Sequence, residues 1–165
     1  MYAAFADYWN ATRARLEAEF AAALPRFFDG QPDAHLAAIG EVLDGGKRLR
    51  GCLVCLLNEA LGGNPSAALP RALAVECVQA ASLIHDDLVD GDTLRRDRPA
   101  TWTVRGPRRA VLLGDLIFAT ALQRMAELGQ DDARALSDAI ATMATGAYQE
   151  PVGPTALLQD PAVDR

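Results

Sequence analysis

The chain has 165 residues, half of them hydrophobic and 23% charged, with 16 Lys+Arg against 22 Asp+Glu and a formal net charge of −6. That length suits one domain with a buried core, and the composition excludes intrinsic disorder. A sequence pI near 4.8 excludes a global field for nucleic acid, so any anion site must be local.

No apolar run is expected to reach the ~18 residues of a membrane span. Met1 to Asn10 has neither a basic leader nor a long apolar core, so a cytoplasmic chain without a signal peptide is expected. Along the chain, helical periodicity dominates and nothing alternates with period two for long. Tyr2 to Leu24 sets Ala3, Tyr8, Trp9, Leu16, Phe20 and Ala23 among charges, and Pro25 is expected to stop this helix. A second helix fits Asp33 to Leu43 and ends at Asp44-Gly45-Gly46, a glycine cap and tight turn. A third fits Lys47 to Leu61, ended by Gly62-Gly63-Asn64-Pro65. The fourth, Pro70 to Asp90, is apolar around most of its circumference and is expected to be buried. A polar, Arg-rich stretch at 91–109 precedes a fifth helix, Arg109 to Leu128, and a sixth, Asp131 to Glu150, which Pro151, Gly153 and Pro154 end. No repeat, low-complexity tract or interdomain linker interrupts them. The reading is an all-α helix bundle over 1–150, with 151–165 a tail or truncated continuation.

Fifteen of the sixteen basic residues are Arg and one, Lys47, is Lys. An ammonium and a guanidinium are not interchangeable, so Lys47 is a candidate for a position that needs a compact charge; the alternative is chance under a bias towards Arg. Cys52, Cys55 and Cys77 are odd in number. Cys52-x-x-Cys55 lies in a continuous apolar run and not beside a strand, so buried reduced thiols are expected.

Chemistry concentrates where the fourth helix ends. Glu76, Gln79, Leu83, Asp86 and Asp90 are spaced three, four, three and four apart and line one helix face, with Asp87 beside it. Carboxylates in the last turns repel one another and sit at the negative end of the helix dipole. A hard divalent cation would offset that cost, since magnesium commonly takes one or two carboxylates while phosphates complete its shell. Arg95 and Arg96 would supply guanidinium forks for phosphate oxygens. For Asp86-Asp87 alone a solvated acidic helix end is the better reading; the apolar run from Val78 to Leu88 and the adjacent arginines favour metal and phosphate. Upstream, Gly45-Gly46-Lys47-Arg48-Leu49-Arg50 puts Lys47 and Arg50 three apart at a helix start whose free N–H groups suit an anion. A flexible turn with a basic surface is the alternative there, and the spacing is not that of a Walker loop.

Together these residues resemble the trans-isoprenyl diphosphate synthases of the polyprenyl synthetase family, over about Asp33 to Glu150. The marks are Gly45 to Arg50, Glu76, the run Ser82 to Asp90, Arg95-Arg96, Pro99 and Leu113-Gly114-Asp115. The resemblance implies an antiparallel helix bundle of the isoprenoid synthase type, present as roughly its N-terminal half. It implies Mg2+ held by Asp86 and Asp90, with help from Asp87, against an allylic diphosphate that Arg95 also contacts. Lys47, Arg50, Gln79 and Arg96 would hold isopentenyl diphosphate, Gln79 standing where many members carry His. The implied reaction is head-to-tail condensation: diphosphate leaves, the alkene of isopentenyl diphosphate attacks the allylic cation, and a proton is lost to the released diphosphate.

In this family the two positions occupied here by Ala81 and Ser82 help floor the product tunnel, so their small side chains imply a product longer than C15; the alternative is small residues at a helix crossing. Asp97 stands where the family usually has Gly, and Trp102 where a smaller polar residue or His is common, both bearing on the aim of Arg96. A second aspartate-rich motif is not found, since Asp160 and Asp164 sit in a short Pro-containing stretch. The chain is therefore expected to be inactive alone and to need a second half, either as a continuation or as a partner in a homo- or hetero-oligomer. A non-catalytic diphosphate-binding subunit and a fragment of a class I terpene cyclase are the alternatives; the cyclase has no second diphosphate for Lys47 and Arg50 to hold.

Overall fold

The computed structural model describes residues 2–150, and the tail expected over 151–165 lies outside them. In chain order the described elements are α1 (Tyr2–Phe27), α2 (Asp33–Leu43), α3 (Leu49–Ala60), α4 (Pro65–Asp90), the short strands β1 (Leu94–Arg95) and β2 (Arg98–Pro99), α5 (Thr101–Arg105), α6 (Pro107–Leu128) and α7 (Gln130–Gln149). The chain is the all-α bundle that its periodicity predicts. The hub is α4, which packs against each of the other six helices. Its alanines make this possible: Ala68, Ala72, Ala74 and Ala81 are fully buried, so neighbouring helices approach closely. Leu16, Phe28, Ile39 and Ile117 fill the space around it.

Several boundaries differ from the sequence reading, each for a local reason. Pro25 does not stop α1, which continues to Phe27. In the last turn a missing N–H costs a single bond, and the Arg124 guanidinium from α6 donates to the carbonyls of Phe27 (2.7 Å) and Arg26 (3.0 Å), satisfying the helix end. α4 starts at Pro65 and not at Pro70, because Asn64 caps it: its Oδ1 accepts from the Ser66 N–H at 3.0 Å, and Pro65 occupies the first turn, where no N–H is needed. α3 starts at Leu49 and not at Lys47, because Arg48 adopts a left-handed conformation (φ 49°, ψ 33°). The stretch 91–109 is ordered into a hairpin and a short helix. Leu94 pairs with Pro99 and Arg95 with Arg98; the two-residue loop, Arg96 (φ 54°) and Asp97 (φ 61°), has the double left-handed geometry of a type I′ turn.

The composition of α4 also corrects the expectation about apolar runs. The helix contains an 18-residue window of mean hydropathy 1.3, long and apolar enough to cross a membrane, but 61% of that window is buried within the chain. Packing on all sides in a bundle selects the same composition. The three cysteines are free and buried. Burial holds the Cys52 thiol at about 11 and pushes that of Cys77 up as well.

Candidate functional site

A cavity of about 710 Å³ opens between the end of α2, the 44–48 turn, α4 and the hairpin. Lys47, Arg50, Gln79, Arg95 and Arg96 line it, with Arg13, Arg48 and Arg98, against the carboxylates Glu41, Asp44, Glu76 and Asp87. Cations outnumber carboxylates, so the cavity is basic although the chain is acidic. Among the described residues, Lys47 and Arg50 have no ion-pair partner; their side chains are exposed and free to meet an anion.

The Gly45-Gly46 pair is explained by this wall. Gly45 (φ 65°) turns the chain after α2, a conformation that costs a side chain but not glycine. A Cβ on Gly46 would stand 3.4 Å from Arg96 Nη1, so its absence lets that guanidinium lie across the turn and donate to the Gly45 carbonyl. Arg98 pairs with Asp44 at 2.9 Å, and Arg105 pairs with Glu41. Three arginines thus tie the hairpin and α5 to the C-terminal end of α2, where the helix dipole also favours positive charge. The two departures from the family pattern fit the hairpin: Asp97 takes the second left-handed position of the type I′ turn, and Trp102 Nε1 donates to the Asp92 carbonyl at 2.7 Å, holding the base of the hairpin. Arg96 reaches the cavity with both in place.

The helix-start reading needs correcting. Lys47 precedes α3 and does not share a helical face with Arg50, although both reach the cavity. The anion at the N-terminus of α3 is internal: Glu76 Oε1 accepts from the Gly51 N–H at 2.8 Å. The sequence marks Glu76 and, within Gly45 to Arg50, Arg48, but assigns neither a role. The signal for both was a Glu on the otherwise apolar α4 helix, which requires a buried partner.

The acidic cluster divides. Asp87 is 3% exposed and accepts from Arg95 Nε at 2.6 Å, with a second contact from the same guanidinium. Asp92 Oδ2 stands 3.9 Å from Nη2 of the same guanidinium. Asp86 and Asp90 do not line the cavity. Burial raises the Asp86 carboxyl above its ordinary value, Asp90 and Asp87 add to this, and Arg95 opposes it. Among the described residues, no group of three His, Cys, Asp or Glu is gathered to cage a metal ion. A hard divalent cation would nevertheless suit Asp86 and Asp90: these are oxygen donors whose mutual repulsion such an ion relieves, and phosphate and water can complete its shell. Ala81, with no exposed surface, lies in the main core, and Ser82 is buried with its hydroxyl donating to the Gln79 carbonyl at 2.9 Å. Neither reaches the cavity wall.

A helical bundle with paired carboxylates at the end of its central helix and a basic cavity beside them is the architecture of isoprenoid synthases. The family model described as polyprenyl synthetase matches residues 34–153, and the chain belongs to that family. It is 38% identical over 99 residues to a short chain isoprenyl diphosphate synthase of Methanothermobacter thermautotrophicus, covering 60% of this chain and 30% of that protein. It is 37% identical over 132 residues to the large subunit 1 of a heterodimeric geranylgeranyl pyrophosphate synthase of Arabidopsis thaliana, covering 79% of this chain and 35% of that one. A polyprenyl synthase from Caulobacter crescentus, solved with calcium and isoprenyl diphosphate, superposes with a TM-score of 0.69 at 34% identity, covering 81% of this chain and 43% of that one. The chain thus spans about a third of these curated relatives and under half of this solved structure.

Proposed function

We propose that this chain supplies one half of the active site of a trans-prenyltransferase, which joins an allylic diphosphate head-to-tail to isopentenyl diphosphate. The observation that carries this reading is the convergence of unpaired Lys47 and Arg50 with Gln79, Arg95 and Arg96 on one cavity. The calcium and isoprenyl diphosphate of the Caulobacter structure support it. Lys47, Arg50 and Arg96, with Gln79, hold the isopentenyl diphosphate, and Arg95 binds the allylic one. Asp86 and Asp90 would hold Mg2+, with Asp87 acting through Arg95. Magnesium, when bound, supplies Lewis-acid neutralisation of the leaving diphosphate. The guanidinium groups stabilise the charge that develops as the allylic C–O bond breaks. The alkene attacks the allylic cation, and the released diphosphate takes the proton, so no nucleophilic side chain is required.

The second half, carrying the other aspartate-rich motif, completes the cavity as a continuation or as a partner chain. Leu49, Leu53, Leu57 and Leu61 recur every four residues along α3 and its cap and are 44, 43, 61 and 87% exposed. Leu49 also lines the cavity. A second half that covers this stripe therefore closes the cavity as well, and the coverage of the solved relative leaves room for one.

Calorimetry on the purified chain tests the reading. Isopentenyl diphosphate is expected to bind without metal and to weaken about tenfold in Lys47→Ala or Arg50→Ala. Binding of an allylic diphosphate is expected to require magnesium and to be lost in Asp86→Ala. Isopentenyl binding indifferent to Lys47 and Arg50 would overturn the diphosphate site, and turnover by this chain alone would overturn the need for a second half.

A further inference from the structure

The run Lys47-Arg48-Leu49-Arg50 carries three cations, yet they are treated differently. Lys47 and Arg50 are exposed, whereas Arg48 is 5% exposed. Its guanidinium is taken up by the protein: Nε donates to Glu17 Oε1 at 2.9 Å, Nη2 donates to Glu17 Oε2 at 3.0 Å and to the Leu43 carbonyl, and Nη1 lies 3.7 Å from Glu76 Oε2. The same guanidinium stacks over the Phe20 ring, 4.6 Å from its centroid. Glu76 in turn fixes the Gly51 N–H at 2.8 Å, and Trp9 Nε1 donates to the Lys47 carbonyl at 3.0 Å. The backbone at Arg48 is left-handed, a conformation that is unfavourable for a residue with a side chain and so needs support.

We infer that Arg48 is a positioning residue. Clamped by Glu17 and Glu76, it holds the 46–51 turn in the one conformation that points Lys47 and Arg50 into the cavity together, and it contributes no direct contact to the diphosphate. Although Arg48 lines the cavity, its Nε and Nη2 are engaged by Glu17 and the Leu43 carbonyl and its Nη1 faces Glu76, so its guanidinium is committed to the protein. Position and chemistry thus separate within four residues: the buried cation sets the backbone and the exposed cations meet the anion. This inference rests on the diphosphate reading above.

The test is a double-mutant cycle on the whole chain, with inorganic diphosphate as the probe in calorimetry and helix content and unfolding midpoint recorded alongside. Arg48→Met is expected to weaken binding about tenfold although Lys47 and Arg50 remain, and Arg48→Lys to restore part of the loss. Lys47→Ala is expected to cost about tenfold in the parent chain but threefold or less in the Arg48→Met background, because a misdirected Lys47 has little left to lose. Equal losses in the two backgrounds would mean that Arg48 acts independently, as a ligand or through general stability, and would overturn the inference. So would undiminished binding by Arg48→Met. Should Arg48→Met not fold, Glu17→Gln, at the partly exposed end of the clamp, takes its place in the cycle with the same expected coupling and the same overturning result. No binding of inorganic diphosphate by the parent chain would instead overturn the diphosphate reading and this role with it.

Discussion

His85 and Gly114 interlock: the Nε2 edge of the His85 ring fills the space that a Cβ at position 114 would need. The contact belongs to the α4–α6 interface, where His85 Nε2 is 3.1 Å from the Val111 carbonyl and its ring packs against Phe118. Gly114→Ala is expected to displace the imidazole and cost about 1–3 kcal/mol. In a His85→Ala background the same change should stabilise the chain by up to about 1 kcal/mol, since alanine is the better helix former. Urea midpoints of the four variants check the reversal of sign.

Arg95 holds a carboxylate that has almost no contact with water. Arg95→Ala leaves Asp87 buried and unpartnered and is expected to lower stability by about 1–3 kcal/mol, below the cost of breaking a fully buried pair because Arg95 is itself partly exposed. Replacing both, as in Asp87→Leu with Arg95→Leu, should recover a good part of the loss. Denaturation without added metal keeps the comparison free of any ligand effect.

Ala81 is where the family resemblance and the packing meet. The resemblance makes Ala81→Phe a change that shortens the product; the full burial of Ala81 makes it an intrusion into the core. The expected outcome is a stability loss of about 1–3 kcal/mol in this chain, read as a lower urea midpoint. In the assembled enzyme, a product distribution that does not move would remove Ala81 from the tunnel floor.

The Cys52 thiol, held at about 11 by burial with Cys55 and Glu76 adding to it, carries little thiolate near neutrality. Alkylation by iodoacetamide at pH 8 is expected to be about 100-fold slower than for an unfolded thiol. The folded chain keeps a proton here that the unfolded chain has lost, so this group's contribution is fully present below about pH 9 and declines as pH rises towards 11. A pH series of urea midpoints shows the direction.

Much of the fold was legible because it depends on local periodicity. The four-residue rhythm of apolar positions marked the long helices, and Asp44-Gly45-Gly46 marked the turn between the second and third. The errors fell where neighbours in space override local preference. Pro25 by itself predicts a stop, but an arginine almost a hundred residues away satisfies the helix end. The polar stretch after Asp90 has no periodicity to read, yet ion pairs to residues of α2 and its C-cap, more than fifty positions earlier, order it.

For the candidate site, the sequence by itself determined which chemical groups are present: carboxylates at a helix end, a glycine pair followed by cations, and the double arginine. Spacing along a helix and the conformational freedom of glycine are local properties, so a chain of letters carries them. Only the tertiary structure decided how those groups are used. It turned Asp87 inward to Arg95, left Asp86 and Asp90 to face each other's charge, and buried Arg48 between Glu17 and Glu76 while leaving Lys47 and Arg50 exposed. Arg48 and Arg50, two residues apart, look alike in sequence. What distinguishes them is which one finds carboxylates on helices that arrive from elsewhere in the chain, because a buried charge is stable only where partners replace the water it has lost.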